Sequence, residues 1–204
     1  MTSALVERWV TGWCLSRQMS WSRDGESRLV EVAAETRSQE RIAATPSLAE
    51  AHRLVEATTA SDVWLTFIGE IHASVGAAVG SLDRVSGSEC MMTARVGPGS
   101  VPAGVVIEHD GPVAHARIDI DGELAARGQV AVQAVHAVFD RIETMPAFRR
   151  RGLGRQVMTG LAAWAADHHA TTGVLTASVS GRKLYETLGW STFGPVSTFR
   201  GRAE

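Results

Sequence analysis

The chain has 204 residues, 45% of them hydrophobic, and a net charge of −2. That length can bury a proper core as one large domain or two small ones, and a near-neutral balance argues against a nucleic-acid partner, which leaves a basic footprint. Two cysteines, Cys14 and Cys90, lie far apart and outside any metal-binding spacing, which argues against a disulfide framework or a structural zinc site.

The chain opens MTSALVERWVTGW, where Glu7 and Arg8 break the apolar run. Neither a signal peptide nor a membrane span is expected, and the cytoplasm is the default location. Lys183 is the only lysine and asparagine is absent, a bias expected of a GC-rich bacterial genome. Leu5, Val6, Trp9, Val10 and Trp13 have helical spacing after Ser3, a suitable N-cap, with Gly12 as a weak point. RLVEVAAET follows the Asp24-Gly25 turn as a strand. Pro46 and Ser47 open a helix, SLAEAHRLVEA, and VWLTFI at 63–68 reads as a strand. The Gly-rich stretch from Gly69 to Ser88 is ambiguous, and CMMTARV is a short strand.

Gly97 to Pro102 is the best linker, and it divides a lobe at 1–96 from a domain at 101–204. Beyond it come AGVVIEH, VAHARIDI, ELAARGQVAV and HAVFDRIET, strands separated by turn signals of which Asp121-Gly122 is the strongest. Pro146 stops the last of them. GLGRQVMTGLAAWAADHH is the clearest helix, with Leu153, Val157, Leu161 and Trp164 on one face. VLTAS is then a strand, GRKLYETLG a short helix ending at Gly189, and two strands around WSTF and VSTFR close the chain. No internal sequence repeat is evident. The succession reads as an α/β or α+β layered domain.

Arg149, Arg150, Arg151 and Arg155 cluster around Gly152-Leu153-Gly154, between a strand and the clearest helix. Helix starts carry unpaired N–H groups and a partial positive charge, glycines admit a phosphate to the backbone, and arginines add charge-assisted bonds. A small anionic ligand is implied. The loop is neither a P-loop nor a complete G-x-G-x-x-G dinucleotide site. A basic surface turn with helix-start glycines is the alternative.

Tyr185 is the only tyrosine, within LYETLGW at 184–190. Alone it reads as a half-buried packing residue. Together, DRIETMPAFRRRGLG and LYETLGW resemble the paired motifs of the GNAT superfamily of acyl-CoA-dependent N-acetyltransferases, in the right order and with one helix and one strand between them. The resemblance covers about 103–204. It implies a mixed, mostly antiparallel twisted sheet flanked by helices, with the N-terminal residues as an additional α/β lobe. It further implies acetyl-CoA or coenzyme A as co-substrate, no metal, and an amine of a small molecule or peptide as acceptor. Neither nucleic acid nor membrane enters as a partner, and a homodimer is compatible with it.

Residue by residue, the resemblance implies that backbone amides of Arg149, Arg150, Arg151, Gly152, Leu153 and Gly154 hold the coenzyme pyrophosphate, beside Arg155. Ile142, Glu143 and Thr144 would pair with pantetheine, and Tyr185 would protonate the leaving thiolate. Ser178 stands where relatives often carry an asparagine that contacts the cofactor.

The acceptor ammonium must lose a proton. By the period-two rule His136, Val138, Asp140, Ile142 and Thr144 share one strand face, with Glu143 opposite unless a bulge flips the register. Asp140 is the first candidate base and His136 the second. A structural ion pair for Asp140 and a satisfied edge position for His136 are the alternatives. His168 and His169 read as helix-end residues. Trp9, Trp13, Trp21 and Trp64 offer aromatic surface to an acceptor pocket, or pack in the core. A non-catalytic acyl-CoA sensor or assembly module on the same fold is the competing function.

Overall fold

The computed structural model describes residues 2–202. The helices are α1 (Thr2–Arg17), α2 (Leu48–Glu56), α3 (Ala73–Ala78), α4 (Leu153–Asp167) and α5 (Val179–Glu186). The strands are β1 (Ser20–Asp24), β2 (Ser27–Ala34), β3 (Arg37–Ala44), β4 (Val63–Ile68), β5 (Asp83–Arg95), β6 (Val106–Asp110), β7 (Val113–Ile120), β8 (Glu123–Gln133), β9 (His136–Thr144), β10 (Thr172–Ala177) and β11 (Ser191–Arg200). No helix among the described residues is long and apolar enough to cross a membrane.

All eleven strands join one sheet in the order β1-β2-β3-β4-β11-β5-β10-β9-β8-β7-β6. Only the β3–β4 and β9–β10 pairs are parallel. The expected mixed, mostly antiparallel sheet with flanking helices is therefore present.

The order holds a repeat that the sequence does not display. A three-stranded meander (β1–β3), then α2, a parallel strand β4, α3 and β5 make the first half. The second half runs through the meander β7–β9, then α4, the parallel strand β10, α5 and β11. Each half gives its last strand to the other: β5 lies against β10, and β11 against β4. The Gly97–Pro102 linker thus joins two halves that share one sheet, and β5 sits inside the territory of the second half.

Three apolar clusters fill the layers. α4 and α5 cover one face of the second half with Val157, Leu161, Tyr185 and Trp190. α2 and α3 cover the same face of the first half around Leu54, Leu65 and Phe67. α1 lies alone on the opposite face, burying Val6, Val10 and Trp13 against Val30, Met91, Val138 and Val174. Gly12 lets α1 approach β9, since a Cβ there would overlap the Val138 side chain.

Several elements differ from the sequence reading. β1 and β3 were not expected; β3 (RSQERIAA) is too polar to show a strand signature. β5 extends back to Asp83 into the ambiguous Gly-rich stretch, whose earlier part forms α3. The two closing strands are one, β11, broken by register shifts.

Candidate active site

β9 and β10 pair only where His136, Ala137 and Val138 lie beside Thr172, Gly173 and Val174. Past Val138 the strands part, leaving the edge of β9 that faces β10 without a strand partner; the other edge stays paired with β8 as far as Thr144. A bulge helps the parting. Arg141 adopts φ 52°, and the register slips so that Arg141 and Ile142 stand opposite Gly128. Gly128 is needed there, because a Cβ would run into Val157 at 2.8 Å and into Ile142.

The bulge corrects the expected strand face. Val138 packs with the α1 cluster and Asp140 bonds to α1, whereas Ile142 packs with the α4 cluster. Thr144 also lies on the α4 side, its Oγ1 3.4 Å from where a Gly154 Cβ would stand. His136, Val138 and Asp140 therefore share a face that Ile142 and Thr144 do not. Glu143 pairs with Arg127 at the surface.

At the end of the parted strand the chain passes through Pro146–Phe148 and Arg149–Arg151 into α4. Gly152 is the N-cap residue, left-handed at φ 78°, and no side chain caps the helix. Its Cβ position points into open space. The first-turn amides are thus available to an anion. Arg149, Arg150, Arg151 and Arg155 are exposed, and among the described residues none is in an ion pair. Arg149 donates to the Thr144 carbonyl at 3.2 Å, and Arg155 to Thr187 Oγ1 at 2.9 Å. Gly154 has a different task from Gly152: a Cβ there would press on Leu184 of α5 at 3.1 Å. Leu153 is buried in the core.

Ser178 caps α5, its Oγ accepting from the Gly181 amide at 3.2 Å. That engagement gives it a structural role at the residue expected to meet the cofactor. In the last turn of α5, Tyr185 is 7% exposed and packs near Trp190. Burial pushes its phenol up to about 12, and the nearby Asp140 carboxylate adds to the shift. The hydroxyl is therefore protonated throughout the neutral range.

The two candidate bases are separated. His136 lies at the paired end of β9, its Nε2 2.6 Å from Arg8. Burial, then the Arg8 charge, lowers its pKa. Asp140 stands where the strands part, but Arg17 grips both its oxygens at 2.7 and 2.8 Å. Gln129 donates to it as well, at 3.1 Å, and ties the Ser16 carbonyl at 3.0 Å. His168 and His169 lie at the end of α4, where His168 stacks on Trp164.

On the α1 face a cleft of about 460 Å³ reaches Asp140 and Thr176, one residue from each of the parted strands. Trp9 and Trp13, stacked 5.3 Å apart, form one wall, and Trp64 of β4 stands in another. Trp21 packs on the α1 core instead. Glu40, 3% exposed, receives bonds from Arg37 and Thr66, and Thr66 continues to Thr198. Glu89 of β5 completes the rim. Sequence reasoning missed Arg17, Glu40 and Glu89. Only Glu89 had a usable signal, since strand alternation from Met91 puts it on that face.

The family model for the acetyltransferase (GNAT) family matches residues 89–190, half of the chain, beginning within β5 and ending at Trp190. No curated protein matches the chain. Among solved structures, a GCN5-related N-acetyltransferase from Kribbella flavida superposes with a TM-score of 0.71 at 18% identity, over 100% of this chain and 96% of that one. A putative GNAT acetyltransferase from Novosphingobium aromaticivorans gives 0.65 at 16%, over 95% and 94%. A tandem GNAT protein from the clavulanic acid biosynthesis pathway gives 0.54 at 13%, over 89% and 82%. At these identities the structures speak for the fold, and the family match speaks for descent: the chain belongs to the GNAT family of acetyltransferases.

Proposed function

We propose that the chain transfers an acetyl group directly from acetyl-CoA to a primary amine of a small molecule or peptide. One observation carries the reading. β9 parts from β10 after Val138, with an uncapped, arginine-ringed helix start at the end of β9 and a buried, protonated phenol on α5, the helix that follows β10.

Acetyl-CoA supplies the acyl group as an activated thioester. The amides from Arg149 to Gly154 hold its pyrophosphate, and Arg149, Arg150, Arg151 and Arg155 balance its charge. The unpaired edge at Ile142, Glu143 and Thr144 offers backbone donors and acceptors to pantetheine. Gly152 supports this: its left-handed backbone and the open space at its Cβ position suit a phosphate seated against the main chain.

The acceptor, an ammonium in solution, first loses a proton. Its nitrogen lone pair forms the C–N bond, the C–S bond breaks, and the sulfur leaves with the electron pair. Tyr185 donates a hydrogen bond to that sulfur as charge develops, passes its proton over, and regains one from water. The products are an amide, the coenzyme thiol and one proton. Asp140 is poorly placed to act as the base, because Arg17 occupies both its oxygens and Gln129 donates to one of them as well. Its role in this reading is to fix the end of α1 against β9.

The test is a thiol-release assay with acetyl-CoA and a broad panel of amines and peptides, run beside calorimetry of coenzyme A binding. Thiol that appears only with an amine supports the reading. Tight coenzyme binding without turnover would replace it with an acyl-CoA sensor or assembly module.

A further inference from the structure

The cleft on the α1 face has a charge pattern that the transferase reading does not use. Five ionisable side chains line it: Arg17, Arg37, Glu40, Glu89 and Asp140. Both guanidiniums are bound to carboxylates, Arg17 to Asp140 at 2.7 Å and Arg37 to Glu40 at 2.7 Å. Arg37 also lies over Trp64, 4.2 Å from the ring centroid. Glu89 is different. Among the described residues its carboxylate makes no hydrogen bond and no ion pair, although it is only partly exposed. Three carboxylates against two guanidiniums leave the cleft with a charge of −1, and that charge sits on Glu89.

The backbone fixes where Glu89 lies. On β5, Cys90 pairs with Ala177 and Met91 with Thr176, so Glu89 stands just past the end of β10. Met91 packs with the α1 cluster while Cys90 packs with the α4 cluster, and by alternation Glu89 shares the α1 face with Met91. Thr176 lies on the same face, with Asp140 on its other side. An amine that enters this cleft toward the parted strands therefore passes between a neutralised carboxylate and a free one.

We propose that Glu89 is the ion-pair partner of the acceptor's ammonium, and that the acceptor is a small primary amine with an apolar or planar body and no carboxylate or phosphate of its own. This rests on the transferase reading above. The unpaired carboxylate attracts the cation, and no unpaired cation in the cleft can receive an anion. Trp9, Trp13 and Trp64 supply apolar wall for the body of the molecule. A cavity of about 460 Å³ suits an acceptor of small-molecule size. An amino acid would bring its α-carboxylate close to Glu89 and meet repulsion that the corresponding decarboxylated amine escapes.

Pairs of substrates that differ only in that carboxylate make the test: phenethylamine against phenylalanine, tryptamine against tryptophan, agmatine against arginine. In the thiol-release assay with wild-type chain and acetyl-CoA, at least one amine is expected to exceed its parent amino acid in kcat/KM by about tenfold or more. Glu89→Gln is expected to lower kcat/KM for that amine by about tenfold, chiefly through KM, the loss usual for a hydrogen bond to a charged group. The same variant is expected to narrow the preference over the amino acid and to leave coenzyme A affinity unchanged. Equal turnover of amines and amino acids, or an undiminished preference in Glu89→Gln, would overturn the assignment while the transferase reading stands. Weakened coenzyme A binding in Glu89→Gln would also overturn it, moving Glu89 to the cofactor side. Absence of thiol release with every substrate, coenzyme binding intact, would sink both.

Discussion

The two halves of the sheet follow the same path and do opposite things at the same turn. In the second half the parallel pair opens after three residues, and the following helix starts without a side-chain cap. In the first half β3 and β4 stay paired from residues 39–44 against 63–68, and Ser47 caps α2 by accepting from the Glu50 amide at 3.2 Å. Glu50 adds a negative charge to that first turn. An anion at α2 would meet a satisfied helix start and a carboxylate, whereas at α4 it would meet free amides and four arginines. Topology alone therefore does not open a strand edge beside a free helix start. A bulge at Arg141, a left-handed glycine and an uncapped helix start do, and the half that lacks them provides a wall of the cleft on the α1 face through Arg37, Glu40 and Trp64.

The sharpest way to break this comparison is at Tyr185, which sits in the open half only. Tyr185→Phe keeps the ring and removes the donor. Loss of a general acid costs on the order of 10²–10⁴ in rate, so kcat is expected to fall at least about tenfold with coenzyme affinity unchanged. A thiol-release assay measures it, and wild-type turnover would return Tyr185 to a packing role. The same residue sets an alkaline signature. Its folded pKa, about 12, lies above the ordinary tyrosine value of 10, so its contribution to stability is complete below pH 10 and disappears as pH rises toward 12. Thermal melts from pH 9 to 12 should show that loss in the wild type and less of it in the phenylalanine variant.

Gly152 tests the other end of the open half. Gly152→Val puts a β-branched residue at φ 78° and a side chain into the space assigned to phosphate. Coenzyme A affinity by calorimetry is expected to drop by at least about tenfold, while kcat at saturating coenzyme changes less. Unchanged affinity in a folded variant would remove the loop from the site and, with it, the contrast with α2.

Asp140 distinguishes a base from a clamp. If it removes the acceptor's proton, Asp140→Asn lowers turnover most at low pH. The bidentate Arg17 pair, less than a quarter exposed on either side, favours the other outcome. The variant is expected to lose about 1–3 kcal/mol of stability, as an ion pair with an unpaired survivor does, with the shape of the pH–rate profile retained. Denaturant melts and a pH series on one variant separate the two.

What the sequence conveyed follows from how local each signal is. β7, β9, α4 and the Asp121-Gly122 turn are written in periodicity and turn chemistry within a few residues, and both glycines of the turn-to-helix loop were noticed. A bulge in β9 was allowed for, but its place at Arg141 was not legible, because that depends on Gly128 opposite and on Val157 and Leu161 packing above it. Likewise the partner of Asp140 is Arg17, far away in the chain and brought close only when α1 docks. β3 escaped notice because it buries Glu40 in an otherwise polar strand, satisfied by Arg37 and Thr66. The exchange of β5 and β11 leaves no local trace at all.

The smallest expected effect comes from the closed half, and it is the control for the rest. Ser47 caps α2 as Gly152 begins α4, but its hydroxyl already occupies the helix start. Ser47→Ala removes that acceptor and exposes the first-turn amides, a change worth about 1 kcal/mol of stability in most helices. If free amides at this turn were enough to bind phosphate, the variant would gain affinity for coenzyme A or inorganic pyrophosphate. The sealed β3–β4 seam leaves no edge for pantetheine, and Glu50 opposes an anion, so no gain is expected. Calorimetry should therefore return wild-type stoichiometry and affinity, and the thiol-release rate should be unaltered, with only the melt shifted. A second binding event in Ser47→Ala would show that the cap alone keeps the first half silent, and would make the two halves more alike than their strand pairing implies.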